Sequence, residues 1–205
     1  KSRKLAHKTR TGFSMDSKTY RQTLSKLRRA IRVVEVAMSA KVYDAIEYQK
    51  VPSQAMLKYS NAFIRNDKEG FIRYLDDVKS GRAKVNADTI YPQQIIHEIW
   101  KTNIDSSMAD SLWNNMPNFI NDTEENAIAV VDVSGSMSGT PMEVAIGLGM
   151  YLADRAKGPY ANKFITFSES PQMIEIKGKN IVDKVNGRVG IGTSNPVVPL
   201  DIQAS

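Results

Sequence analysis

Five apolar residues, Ala127-Ile128-Ala129-Val130-Val131, run without interruption into Asp132-Val133-Ser134-Gly135-Ser136. A run so short and so apolar predicts a strand buried on both faces, the habit of parallel sheets. A parallel strand needs a crossover before its neighbour, and the sequence supplies one. A helical pattern from about Pro141 to Lys157 carries Met142, Ala145, Leu148, Leu152 and Ala153 on one face, and Lys163-Phe164-Ile165-Thr166-Phe167 reads as a second strand. Met173-Ile174-Glu175-Ile176 is a candidate third. Strand, helix and strand in this order predict an α/β domain whose ligands bind beyond the carboxyl ends of its strands. Asp132 stands at such an end.

That position gives the loop a chemical meaning. One carboxylate and two hydroxyls, Asp132, Ser134 and Ser136, are spaced two residues apart on a glycine-bearing turn. They can converge on a hard divalent cation. The bland alternative is a Gly/Ser turn capped by its aspartate. Catalytic readings fare worse. An aspartate nucleophile of the phosphotransferase kind needs a second carboxylate two residues on, where this chain has Ser134. The stretch from Gly135 to Thr140 has no lysine and is no phosphate loop. A serine nucleophile needs a positioned base, and the two histidines, His7 and His97, lie far off in the sequence. Glu35, Glu98 and Glu125 show no paired spacing for acid/base work. No enzyme is expected.

Ahead of the α/β segment the pattern is helical. Asp16 or Ser17 can cap a helix whose apolar residues Leu24, Leu27, Ile31, Val34 and Met38 recur at three- and four-residue steps. A shorter helix is predicted over Val42 to Tyr48. Val51-Pro52-Ser53 stops it and caps the next, with Met56, Tyr59 and Phe63 inward. Phe71, Ile72, Leu75 and Val78 mark another. Pro92 opens a further one with Ile95, Ile96, Ile99 and Trp100 inward. Met108, Leu112 and Trp113 mark the last before Pro117. The expected organisation is a flexible basic arm over residues 1–15, a helical domain over 16–120, and a partial α/β domain over 126–205.

Charge is distributed unevenly. Of 28 Lys and Arg, eleven fall in residues 1–32 beside one acid, Asp16, whereas the other 17 meet 21 acids. A basic end on a mildly acidic body points to an anionic partner, RNA, DNA or an acidic protein surface. Lys4, Lys8, Arg10, Arg21, Lys26, Arg28, Arg29 and Arg32 are the expected nucleic-acid contacts, chiefly to phosphate. Tyr20 is the one aromatic among the bases of the 18–32 stretch, so no stacking platform is evident. The absence of cysteine removes disulfides and thiolate metal sites and fits a reducing compartment. No apolar run reaches the roughly 20 residues of a membrane span, so a membrane is not among the expected partners.

The segment from Ala127 to Phe167, with Asp132-Val133-Ser134-Gly135-Ser136-Met137 behind its strand, resembles the start of a von Willebrand factor A domain. The resemblance implies a Rossmann-type sheet and a metal-ion-dependent adhesion site holding Mg2+ or another divalent cation. Ser134 and Ser136 would be direct ligands, Asp132 would act directly or through water, and Thr193 in Gly190-Ile191-Gly192-Thr193-Ser194 would be the distant threonine. The family's further aspartate has no counterpart before Ser205, so the domain is expected to be partial, with a second chain as one means of completing its sheet. Leu27-Arg28-Arg29, Glu35-Val36, Val51-Pro52-Ser53-Gln54-Ala55-Met56 and Tyr91-Pro92 resemble a phage and viral family of unknown function. Its helical region precedes an A-type domain, as in Ro/TROVE RNA-binding proteins. Residues 186–205, with Val189-Gly190-Ile191-Gly192-Thr193-Ser194-Asn195-Pro196, are also similar to phage tail-fibre repeats.

The function these features imply is a non-enzymatic binding or scaffold protein whose cation bridges to a partner's carboxylate. Its alternatives are a Ro-like RNA-binding protein and a virion structural or assembly component. The expected location is cytoplasmic, in the host cytoplasm or the virion for a phage-encoded chain.

Overall fold

In the computed structural model, residues 2–120 and 126–187 are described, with side chains from Ala6 onward. Two compact units, residues 1–47 and 48–205, divide the chain.

The first unit holds three helices, α1 (Ser2–Gly12), α2 (Ser17–Ala30) and α3 (Val34–Ala40). Where the sequence pattern predicts a flexible arm, α1 forms because its Leu, Ala, Lys and Arg residues are strong helix formers even without an apolar stripe. Asp16 starts α2 as expected. Its Oδ1 accepts from Lys18 N at 2.7 Å and Thr19 N at 2.9 Å, and Oδ2 from Thr19 Oγ1 at 2.8 Å. These bonds, Thr19 first, hold its carboxyl below the usual range. The single helix predicted from Asp16 through Met38 is broken. Arg32 takes a left-handed φ of 49°. Val33 N donates to Arg28 O at 3.1 Å and Arg32 N to Arg29 O at 3.2 Å, the pattern of a Schellman turn. The β-branched run Ile31, Val33, Val34 offers little resistance to that break. The helix predicted over Val42–Tyr48 is replaced by 3-10 turns at Tyr43–Ala45 and Tyr48–Lys50.

In the second unit four helices precede the sheet: α4 (Ser53–Asn66), α5 (Lys68–Lys79), α6 (Pro92–Thr102) and α7 (Ser106–Asn114). Met56, Phe63, Phe71, Leu75, Ile95, Ile96, Ile99, Met108, Leu112 and Trp113 are buried, as their spacing predicts. Ser53 is the first residue of α4 rather than its cap, and Ile72 faces solvent while Tyr74 turns inward. Tyr48 joins these helices through edge-on contacts with Phe63 and Phe71, at ring separations of 5.3 and 5.0 Å. Its hydroxyl donates to Asp67 Oδ2 at 2.8 Å, and Asp67 in turn caps α5 at Gly70 N.

After residue 126 come β1 (Ala129–Asp132), α8 (Thr140–Arg155), β2 (Lys163–Phe167), β3 (Met173–Glu175) and α9 (Ile181–Asn186). The sheet order is β1-β2-β3, with β1 and β2 parallel and β2 and β3 antiparallel. The predicted crossover is therefore present. The helices α4–α7 and the sheet lie in one compact unit. The contact between α6 and α8 explains this. Gly147 of α8 lies so close to α6 that a Cβ there would sit 2.7 Å from Gln93 N. Phe119 N donates to the Tyr151 hydroxyl at 2.9 Å, and that hydroxyl donates to Pro117 O. Ile181 N donates to Asp110 Oδ1 at 2.7 Å, tying α9 to α7.

The face that α8 lays on the sheet is Met142, Ile146, Gly149 and Ala153, all buried, while Leu148 and Leu152 are exposed. Gly149 leaves room for Val131. By strand alternation Val131, Phe164, Thr166 and Ile174 point toward α8. The other face carries Val130, Ile165 and Met173 side by side in register, with Phe167 beyond them. Val130 is 63%, Phe167 60% and Met173 58% exposed. The expectation of a strand buried on both faces thus holds on one face only among the described residues.

Candidate metal site

Asp132 is the last residue of β1, and the backbone ladder carries one step past it, Val133 N donating to Phe167 O at 3.0 Å. This bond and the burial of Val133 fix where the loop begins. Asp132 Oδ1 accepts from Ser134 N at 2.9 Å. That N–H, followed by the Ser134 hydroxyl, holds the Asp132 carboxyl below its ordinary value, so it is a carboxylate at neutral pH. Ser134 precedes a 3-10 turn over Gly135–Met137, closed by Met137 N donating to Ser134 O at 2.9 Å. The turn brings the Ser134 and Ser136 hydroxyl oxygens to 3.0 Å from each other. Gly139 then takes a φ of +84°, a conformation strained for other residues, and launches α8.

The three side chains singled out in the sequence are thus on one solvent-facing loop, at the carboxyl end of a parallel strand. Two ligands on adjacent corners of a magnesium octahedron stand about 3 Å apart when each bond is about 2.1 Å. The serine pair has that separation, and the donor set is all oxygen with one negative charge. The residues therefore fit a small hard cation. No cluster of three His, Cys, Asp or Glu side chains occurs among the described residues. Any cation here would rest on hydroxyls as much as on carboxylate. Thr193, the proposed distant ligand, and the tail-fibre-like stretch from residue 188 lie outside the described residues.

Two neighbours were not picked out in the sequence reading. Phe167 pairs in register with Asp132 and projects an exposed ring beside the loop. The alternation of Lys163, Ile165 and Phe167 carries that signal. Glu143, in the first turn of α8, meets His97 Nδ1 at 2.9 Å, so His97 links α6 to α8 on the protein surface.

The expected nucleic-acid contacts occupy the other unit. Lys4, Lys8 and Arg10 lie on α1, and Arg21, Lys26, Arg28 and Arg29 on α2. Arg10 Nη1 donates to Ser17 Oγ at 2.7 Å. Arg32, in the turn after α2, stands 3.7 Å from Glu47 in an exposed ion pair. Among the described residues no helix is long and apolar enough to cross a membrane.

Comparison with known proteins places the chain in a family. The model of a domain of unknown function, DUF2828, matches residues 3–134, more than half of the sequence, and the chain belongs to that family. A second domain of unknown function, DUF7788, matches residues 126–193. The two matches overlap across β1 and the first part of the Asp132 loop. The chain is also 35% identical over 196 residues to the uncharacterized protein L728 of Acanthamoeba polyphaga mimivirus, covering 88% of this chain and 34% of that protein. It therefore spans about a third of the length of this viral relative. No solved structure matches.

Proposed function

We propose that this protein is a non-enzymatic binding or scaffold protein whose α/β part is a von Willebrand factor A-like domain with a cation-dependent adhesion site. The observation that carries the reading is the 3.0 Å approach of Ser134 and Ser136 hydroxyls beside an ionised Asp132. Adjacent hydroxyls accept a hard cation readily, and the loop leaves coordination positions open to solvent for a partner's carboxylate. The sheet order, with β1 parallel to β2 and β2 antiparallel to β3, supports the same reading. A site of this kind makes partner binding cation-dependent while the protein performs no covalent chemistry.

Calorimetric titration of the full chain with magnesium and with manganese tests it. Wild type is expected to bind one ion, and Asp132→Ala and Ser134→Ala to lose it. No heat from wild type, or equal binding by Asp132→Ala, overturns the reading.

A further inference from the structure

The helix α2 contains a sharply two-sided surface and buries none of its residues. At 100° per residue, Tyr20, Leu24, Leu27 and Ile31 fall within about 60° of one another, Ile31 at the helix's carboxyl end. Lys18, Arg21, Lys26, Arg28 and Arg29 occupy an arc of about 160° on the other side. Arg28 comes within about 40° of Leu24 around the axis, so a guanidinium borders the apolar stripe. From Ser17 to Arg32 there is no acid. None of these five bases has an ion-pair partner among the described residues.

The stripe is uncovered where it is most apolar. Leu27 is 53% and Ile31 70% exposed, and Phe13, in the turn before α2, is as exposed as Ile31. A helix that merely solubilises its unit does not collect four apolar residues on one line and then leave two of the largest in water. A cationic helix with low overall hydropathy and an aliphatic stripe is suited to lie in the plane of a membrane interface. There the stripe enters the acyl boundary and the bases reach anionic headgroups. Arg and Lys stems bordering the stripe can extend along the apolar surface while their charges stay at the headgroups. No span is required.

Nucleic acid is the competing anionic partner. Phosphate contacts use the basic arc and leave Leu27 and Ile31 idle, since aliphatic side chains give bases no stacking surface. The exposed stripe is the observation that separates the two. We propose that α2 is a peripheral docking helix for an anionic lipid surface, acting through Leu24, Leu27 and Ile31 with Arg21, Arg28 and Arg29 around them. This inference does not rest on the cation site and is indifferent to EDTA.

Flotation of the full chain with vesicles of phosphatidylcholine, with and without phosphatidylserine, provides the test. Wild type is expected to float with the phosphatidylserine vesicles and much less with phosphatidylcholine alone. The double variant Leu27→Glu/Ile31→Glu is expected to lose at least about tenfold in vesicle affinity with its melting temperature unchanged. Arg28→Gln/Arg29→Gln is expected to lose affinity and keep its fold. Absence of wild-type flotation overturns the proposal. So does flotation of Leu27→Glu/Ile31→Glu equal to wild type, which marks a purely phosphate-directed contact. A fall in that variant's melting temperature overturns it too, because the stripe is then packed within the protein. Retardation of single-stranded RNA by wild type and the apolar double variant alike, with no flotation, transfers α2 to nucleic acid.

Discussion

Trp113 Nε1 donates a 2.9 Å hydrogen bond to Asp154 Oδ2, joining the end of α7 to the end of α8. Lys184 of α9 donates to the other oxygen of the same carboxylate. Beside it the Arg155 guanidinium donates to Trp113 O at 2.8 Å and stacks 4.0 Å from the Tyr151 ring centre. Three helices thus converge on one mostly buried carboxylate. Asp154→Ala strands an indole N–H and an ammonium group, and is expected to cost about 3–5 kcal/mol. Urea denaturation checks this as a lower midpoint with an unchanged slope.

The close approach of α8 to α6 makes a second, steric prediction. At Gly147 a Cβ meets the Gln93 backbone at 2.7 and 2.9 Å, and backbone cannot swing aside as a flexible side chain can. Gly147→Ala is expected to destabilise the second unit by about 1–3 kcal/mol, despite alanine's better helix propensity. Gly12→Ala, where nothing lies within 4 Å, is the control and is expected to be neutral or slightly stabilising in thermal unfolding.

Asp110 has the opposite sensitivity to pH from Asp16, Asp132 and Glu175. Burial pushes its pKa up, outweighing the Ile181 N–H and the Lys184 and Lys79 charges. The ionised form is therefore disfavoured by folding, and its cost is present at neutral pH and relieved as pH falls through the raised value. Asp110→Asn retains an oxygen for Ile181 N and removes the charge. Its urea midpoint is expected to exceed that of wild type at neutral pH, with the gap closing in the acid carboxylate range.

Asp132 titrates the other way. Its folded pKa is depressed by Ser134, so the stabilisation it provides is full above the unfolded value and fades as pH falls through the lower folded one. Under the proposed function, manganese affinity is accordingly flat from neutral pH down through the ordinary carboxylate range and drops only below it, where the Asp132 carboxylate protonates. Titrations across that range, with Ser136→Ala as a pH-independent reduction, measure it.

Much of this arrangement is legible in the sequence because it is local. Pro92 opening α6, Asp16 capping α2, and the run that ends at Asp132 each act within a few residues. The union of helices and sheet is not legible, since it depends on Gly147 meeting Gln93 and on Tyr151 reaching Pro117, pairs brought together only by the tertiary fold. The apolar spacing of α8 predicts Met142, Ala145, Leu148, Leu152 and Ala153 inward; Met142 and Ala153 are buried, whereas Leu148 and Leu152 face solvent. The sheet selected the glycine side instead, because Gly149 must make room for Val131. The residue types of the candidate site were readable from their spacing. The 3.0 Å oxygen pair was not, because it depends on the 3-10 turn that follows Ser134.

The face of the sheet that the described residues leave uncovered has a consequence for how copies of the chain behave together. Val130, Ile165 and Met173 form an oily row, and the formal charge of +6 keeps copies apart at neutral pH. That repulsion vanishes toward the isoelectric point near 9.4 and is screened by salt. The colloidal stability of the protein is thus set by its net charge, with solubility lowest in alkaline, salty buffer.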